Sequence, residues 1–75
     1  MINVKDAVQA ATDFLNVLLP NARDIMVEEV DKTGTYWNIS LSMSLTVGMK
    51  TSRCIKVFKV DQEDAEVTSM KIRTS

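Results

Sequence analysis

The sequence predicts a single α+β domain over residues 1–75, with one N-terminal amphipathic helix packed on a four-stranded antiparallel meander in the order α-β-β-β-β. Three observations carry this reading. Apolar residues recur at helical spacing before Pro20, the stretch from Tyr36 to Val47 alternates between apolar and polar side chains, and glycines or acidic runs punctuate the rest.

Val4, Ala7, Val8, Ala11, Phe14, Leu15 and Leu18 fall at i, i+3, i+4, i+7 spacing, which places them on one stripe of a helix from residue 3 or 4 to 19. Asn3 is the expected N-cap, and Asp6 suits the positive end of the helix dipole. Pro20 cannot continue the helix and disfavours helical geometry at Leu19. Ala10, Val17 and Leu19 widen the stripe, as a helix lying across a sheet requires.

Ile25 to Asp31 reads as the first strand, with Lys32-Thr33-Gly34-Thr35 as a hairpin turn. In the next strand Trp37, Ile39, Leu41, Met43, Leu45 and Val47 share one face, and Tyr36, Asn38, Ser40, Ser42, Ser44 and Thr46 share the other. At about 3.4 Å per residue its twelve residues extend roughly 40 Å, so its tip is expected to project, bend or bulge. Gly48 to Ser52 is read as the next turn and Arg53 to Val60 as the third strand. Its register is ambiguous, because Ile55 and Val57 lie on one face while Cys54, Phe58 and Val60 lie on the other. A solvated turn at Asp61-Gln62-Glu63-Asp64 leads to a last strand from Glu66 to Arg73. The helix stripe is expected to bury itself on the row that contains Trp37.

Composition bounds function. A 75-residue chain that is 45% apolar and 25% charged is globular and has room for one core. Cys54 is the single cysteine and histidine is absent. No internal disulfide can form, a zinc or iron–sulfur site is not expected, and a reducing, cytoplasmic home is expected. The N-terminus lacks the pattern of a signal peptide, and no apolar run approaches the length of a membrane span. Nine basic and ten acidic residues give no overall field for nucleic acid. The charge is blocked, however: Asp24, Glu28, Glu29 and Asp31 are acidic, Lys50, Arg53, Lys56 and Lys59 basic, and Asp61, Glu63, Asp64 and Glu66 acidic. Such blocks suit complementarity between strand edges.

The Ala-rich helix, the strand Val27-Glu28-Glu29-Val30-Asp31, the hairpin entry Gly34 to Trp37, the charged strand ending in Val60-Asp61 and the final Lys71-Ile72-Arg73 together resemble the small cystatin-like domains. The resemblance covers nearly the whole chain and is closest to the gas-vesicle protein O family, with the PepSY domain a looser relative. It implies the same helix-on-meander fold. The sequence departs from the gas-vesicle pattern at Ser40-Leu41-Ser42, where acidic residues are expected, and in lacking a basic aromatic C-terminal tail.

The residues offer little chemistry. Cys54 has no histidine to activate it and reads as an apolar strand residue. Glu28 and Glu29, as strand neighbours, are expected on opposite faces and not as a catalytic pair. The glycines are isolated, which excludes a phosphate-cradling loop, and the acidic turn lacks the spacing of a calcium loop. The basic strand with Phe58 could hold a single-stranded nucleic acid only against the acidic blocks that flank it. No cofactor is expected. Ile55 and Val57 remain, on the face away from the helix, where an uncovered apolar patch calls for a covering chain. The expected function is a non-enzymatic protein-interaction or assembly module, with self-association as a homodimer or docking on another protein. Its candidate interface is Tyr36, Asn38, Ser40, Ser42, Ser44, Arg53, Ile55, Val57 and Lys59. The alternative is a ligand-binding or enzymatic domain with a pocket between helix and sheet.

Overall fold

The computed structural model describes residues 2–73. Helix α1 (Val4–Leu18) precedes strands β1 (Arg23–Thr33), β2 (Tyr36–Val47), β3 (Lys50–Asp61) and β4 (Val67–Arg73). The strands form one antiparallel sheet in the order β1-β2-β3-β4, and the helix lies on one face of it. This is the predicted α-β-β-β-β layout.

Local chemistry sets the ends of α1. The Asn3 side chain accepts the Asp6 N–H at 2.9 Å and satisfies one of the first-turn donors. At the other end the Leu19 N–H reaches the Leu15 carbonyl at 2.7 Å before Pro20 stops the helix. The stripe centres on Ala7, Ala11 and Leu15, which are fully buried. The two alanines let the helix backbone approach the sheet closely, and the Phe14 ring meets Phe58 edge-on at 6.2 Å. Val17 is 78% exposed and does not widen the stripe as the sequence suggested. It lies on the solvent side of the helix.

The unbroken pairing of β2 with β3, from Tyr36↔Asp61 to Val47↔Lys50, resolves the ambiguous register. Ile39 pairs with Phe58, Leu41 with Lys56 and Met43 with Cys54, so these residues face the helix. Ser40 pairs with Val57 and Ser42 with Ile55 on the opposite face. The helix therefore packs on β2 and β3 together, with lesser contact to β4, and not on the tryptophan row alone. Trp37 itself is only half-buried at the margin of the core, with Lys32 over its ring at 5.3 Å. Lys56, counted above in a basic surface block, is 8% exposed on the helix side. Its apolar stem fills that layer.

Both tight hairpins turn on glycine. Gly34 and Gly48 have φ of 61° and 65°, and each is the first of two loop residues, the arrangement of a type II′ turn. The second turn is only Gly48-Met49, so β3 begins at Lys50, three residues earlier than the sequence suggested. The added pairs carry the β2–β3 hairpin beyond the helix. The molecule is 42 Å along its longest axis, and Val47 and Met49 at the tip are exposed.

A helix about 10 Å across cannot cover four strands spaced about 4.8 Å apart. Strand β1 is the one left out: on the helix side Val27 is 48% exposed and Val30 36%. Its pairing with β2 is interrupted twice, between Arg23 and Met26 and between Val27 and Glu29. The core is correspondingly small. Leu15→Ala is expected to cost about 2–5 kcal/mol and lower the melting temperature by more than about 8 °C. A thermal melt followed by circular dichroism tests this, and an unchanged midpoint would place Leu15 outside the core.

Candidate functional site

Among the described residues, no element packs on the sheet face opposite α1, which is the bare face of the domain. All nine residues of the sequence-predicted interface lie on it: Tyr36, Asn38, Ser40, Ser42 and Ser44 from β2, and Arg53, Ile55, Val57 and Lys59 from β3. They are not equally accessible. Ser40 is 4% and Ser42 3% exposed, so the serines form a floor beneath longer neighbours. Ile55 and Val57 are half-buried. The apolar patch inferred from them is thus narrower than the sequence alone suggested.

A polar network crosses this floor. The Arg53 guanidinium donates to Ser42 Oγ at 2.6 Å, to Ser44 Oγ at 3.0 Å and to the Asp24 carbonyl at 2.8 Å. The Ser42 hydroxyl donates in turn to Glu28 Oε1 at 2.8 Å. Three strands are joined. Asp24 has φ of 52°, a conformation non-glycine residues seldom adopt, and Arg53 holds its carbonyl there.

Towards the Gly34 turn the face opens into a groove of about 560 Å³, lined in part by Tyr36, Asn38, Val57, Lys59, Ser69 and Lys71. The Lys59 ammonium lies 4.3 Å from the Tyr36 ring centroid. Asn38 donates to Thr33 Oγ1 at 3.1 Å. The groove is cationic, and its lining includes no carboxylate.

Several residues that shape this face were missed from the sequence. Glu28 and Glu29 were expected on opposite sides, yet Glu29 pairs with buried Ser40 and Glu28 reaches Ser42, so both lie on the bare face. The irregularity between Val27 and Glu29 inserts one residue and breaks the alternation. Asp31, opposite Asn38, and Lys71, opposite Val57, join the same face. Charge along its middle is therefore sorted by strand, with Glu28, Glu29 and Asp31 on β1 and Arg53, Lys59 and Lys71 on β3 and β4, while Arg23 and Asp61 at the strand ends break the pattern.

The remaining chemistry-bearing residues do not converge. Phe58 is buried in the core, Lys56 lies on the helix side and Lys50 stands at the hairpin tip, so the basic strand forms no continuous cation-and-aromatic platform. In the acidic turn, Asp61 Oδ1 accepts the Glu63 N–H at 2.8 Å and Asp64 Oδ1 the Glu66 N–H at 3.0 Å. Among the described residues no three metal-ligating side chains gather. The Cys54 thiol contacts Met43 Sδ at 3.2 Å on the core side. Among the described residues, no helix is long and apolar enough to cross a membrane.

Fold and site together define a two-layer α+β domain with one helix, one filled core and one bare, charge-sorted sheet face. Compared with models of protein families, with curated proteins and with solved structures, the chain matches none.

Replacing Arg53 with methionine is expected to release the start of β1 locally, because three charge-assisted hydrogen bonds to β1 and β2 are lost. Amide exchange at residues 25 and 26 should quicken at least about tenfold while Ile39 and Phe58 stay protected. Uniform quickening across the sheet would contradict this assignment.

Proposed function

We propose that the chain is a non-enzymatic interaction or assembly module that presents its bare sheet face and long β2–β3 hairpin to a protein partner or a second copy. The observation that carries this reading is the position of free surface relative to the core. Beneath the helix, Ala7, Ala11, Leu15, Ile39, Leu41, Met43, Phe58 and Val60 are all fully buried. A ligand pocket between helix and sheet, which the alternative reading needs, would have to displace them. The groove lies instead on the opposite face, beside half-buried Ile55 and Val57 and within reach of charged side chains.

Such a surface fits protein recognition: a partly apolar floor, fixed hydrogen bonds beneath it and a polar rim. The exposed Val47 and Met49 add an apolar tip beyond the rigid body. The free Cys54 thiol fits a reducing compartment, and kinship with cystatin-like domains, closest to the gas-vesicle protein O family, belongs to the same reading.

A photo-crosslinking amino acid placed at Val57, at Met49 or at Asn16 on the solvent side of the helix tests the reading in cells that carry the chain. Protein adducts are expected from positions 57 and 49 and not from 16. Absence of adducts at both, or equal labelling from position 16, would overturn it.

A further inference from the structure

We propose that copies of this chain add to one another head to tail, with β4 of one copy pairing antiparallel with β1 of the next to extend the sheet. This deepens the assembly reading above and rests on it.

Strands β1 and β4 are the two edges of the sheet. An edge strand carries a row of backbone donors and acceptors without ladder partners. Their positions follow from the two tight turns. Thr33 and Tyr36 close the first hairpin, so residues 33, 31 and 29 bond inward and 32 and 30 point outward. In a single copy the Lys32 N–H donates to Asp31 Oδ1 at 2.9 Å, a bond that the added strand replaces as Asp31 turns to its new neighbour. Val47 and Lys50 close the second hairpin, which turns the even-numbered residues of β3 towards β2 and the odd-numbered ones towards β4. Ser69 and Lys71, opposite Lys59 and Val57, therefore bond inward, and residues 70 and 72 point outward.

One register joins these outward groups: residue 30 against 72 and residue 32 against 70 of the next copy. It also sets Lys71 of that copy directly opposite Asp31. Both side chains are exposed on the bare face, so a basic edge meets an acidic one. Self-pairing of β1 has no such match, because its outward groups meet only in registers that place Asp31 against Glu29, against itself or against Thr33. The charge pattern selects unlike edges.

The chain directions agree as well. In a four-stranded meander β4 runs opposite to β1. A copy displaced sideways along the sheet, without turning over, thus brings its β4 antiparallel to β1 and keeps its helix on the same side. The added helix then stands next to Val27 and Val30, the apolar residues that α1 leaves exposed. Such an interface joins two different surfaces, so it does not stop at a dimer unless the twist closes a ring.

Sedimentation velocity over a concentration series tests the proposal. At low salt the average mass should rise past that of a dimer, and it should fall in 0.5 M salt, where the Debye length is only about 3–8 Å. Asp31→Lys and Lys71→Glu, both at exposed positions, should each weaken association at least about tenfold. The double reversal D31K/K71E should restore it, with circular dichroism confirming that each variant is folded. A monomer at about 1 mM in low salt, or association unaffected by either reversal, would overturn the proposal. Crosslinks from position 57 or 49 to a different protein would then leave the broader reading standing, whereas absence of adducts at both positions would remove both.

Discussion

The continuous pairing of β2 with β3 is the constraint on which the rest of the structure depends. Successive strand residues point to opposite faces, so a one-residue slip would send Phe58 and Val60 outward and draw Val57 and Lys59 beneath the helix. The Gly48 turn opposes such a slip by closing the β2–β3 hairpin at Val47↔Lys50, and the Gly34 turn fixes β1 on β2 in the same way at Thr33↔Tyr36. Once that register is set, the helix has one apolar floor on which to lie. The bare face has one composition: serine and asparagine from β2, with arginine, isoleucine, valine and lysine from β3.

The second constraint is width. One helix covers about two strands well, and α1 takes β2 and β3 because Ile39, Leu41, Met43, Phe58 and Val60 offer the deepest apolar surface. Strand β1 is held by its pairing with β2, by the Arg53–Ser42–Glu28 network and by the partly buried Ile25, with little other burial. Its two irregularities are tolerated because little packs against it. They also sort the charge: with Glu28 and Glu29 on the same side, the acidic block of the sequence becomes an acidic edge of the sheet.

Much of this was legible in the sequence. The helix is written in the spacing of Ala7, Ala11 and Leu15 between Asn3 and Pro20, and β2 in its period-two alternation. The nine candidate interface residues share a face because that alternation, once paired, extends into β3. What stayed hidden depends on tertiary packing. Nothing local distinguishes Lys56, whose stem lies in the core layer, from Lys59, whose ammonium stacks on Tyr36. The extra residue near Glu28 carries no glycine or proline to announce it. Val17 is apolar like the stripe, yet helical periodicity puts it about 120° around the axis from Ala11, so it points away from the sheet.

The same irregularities bear on how strongly edges of this kind can pair. Strands with long, flat, apolar edges aggregate without limit, and natural sheets blunt them with bulges and charge. In β1 the regular part of the edge is confined to Glu29–Thr33, since the interruptions fall at or before residue 28 and the first turn begins at Gly34. Few outward backbone groups are therefore available to a neighbour. A short ladder plus exposed ion pairs, each worth at most about 1 kcal/mol, favours weak and salt-sensitive association over the irreversible stacking of a steric zipper. Charge sorting supplies the direction of assembly, and the bulges limit its strength. An edge with this composition is suited to an interaction that depends on concentration and can be reversed.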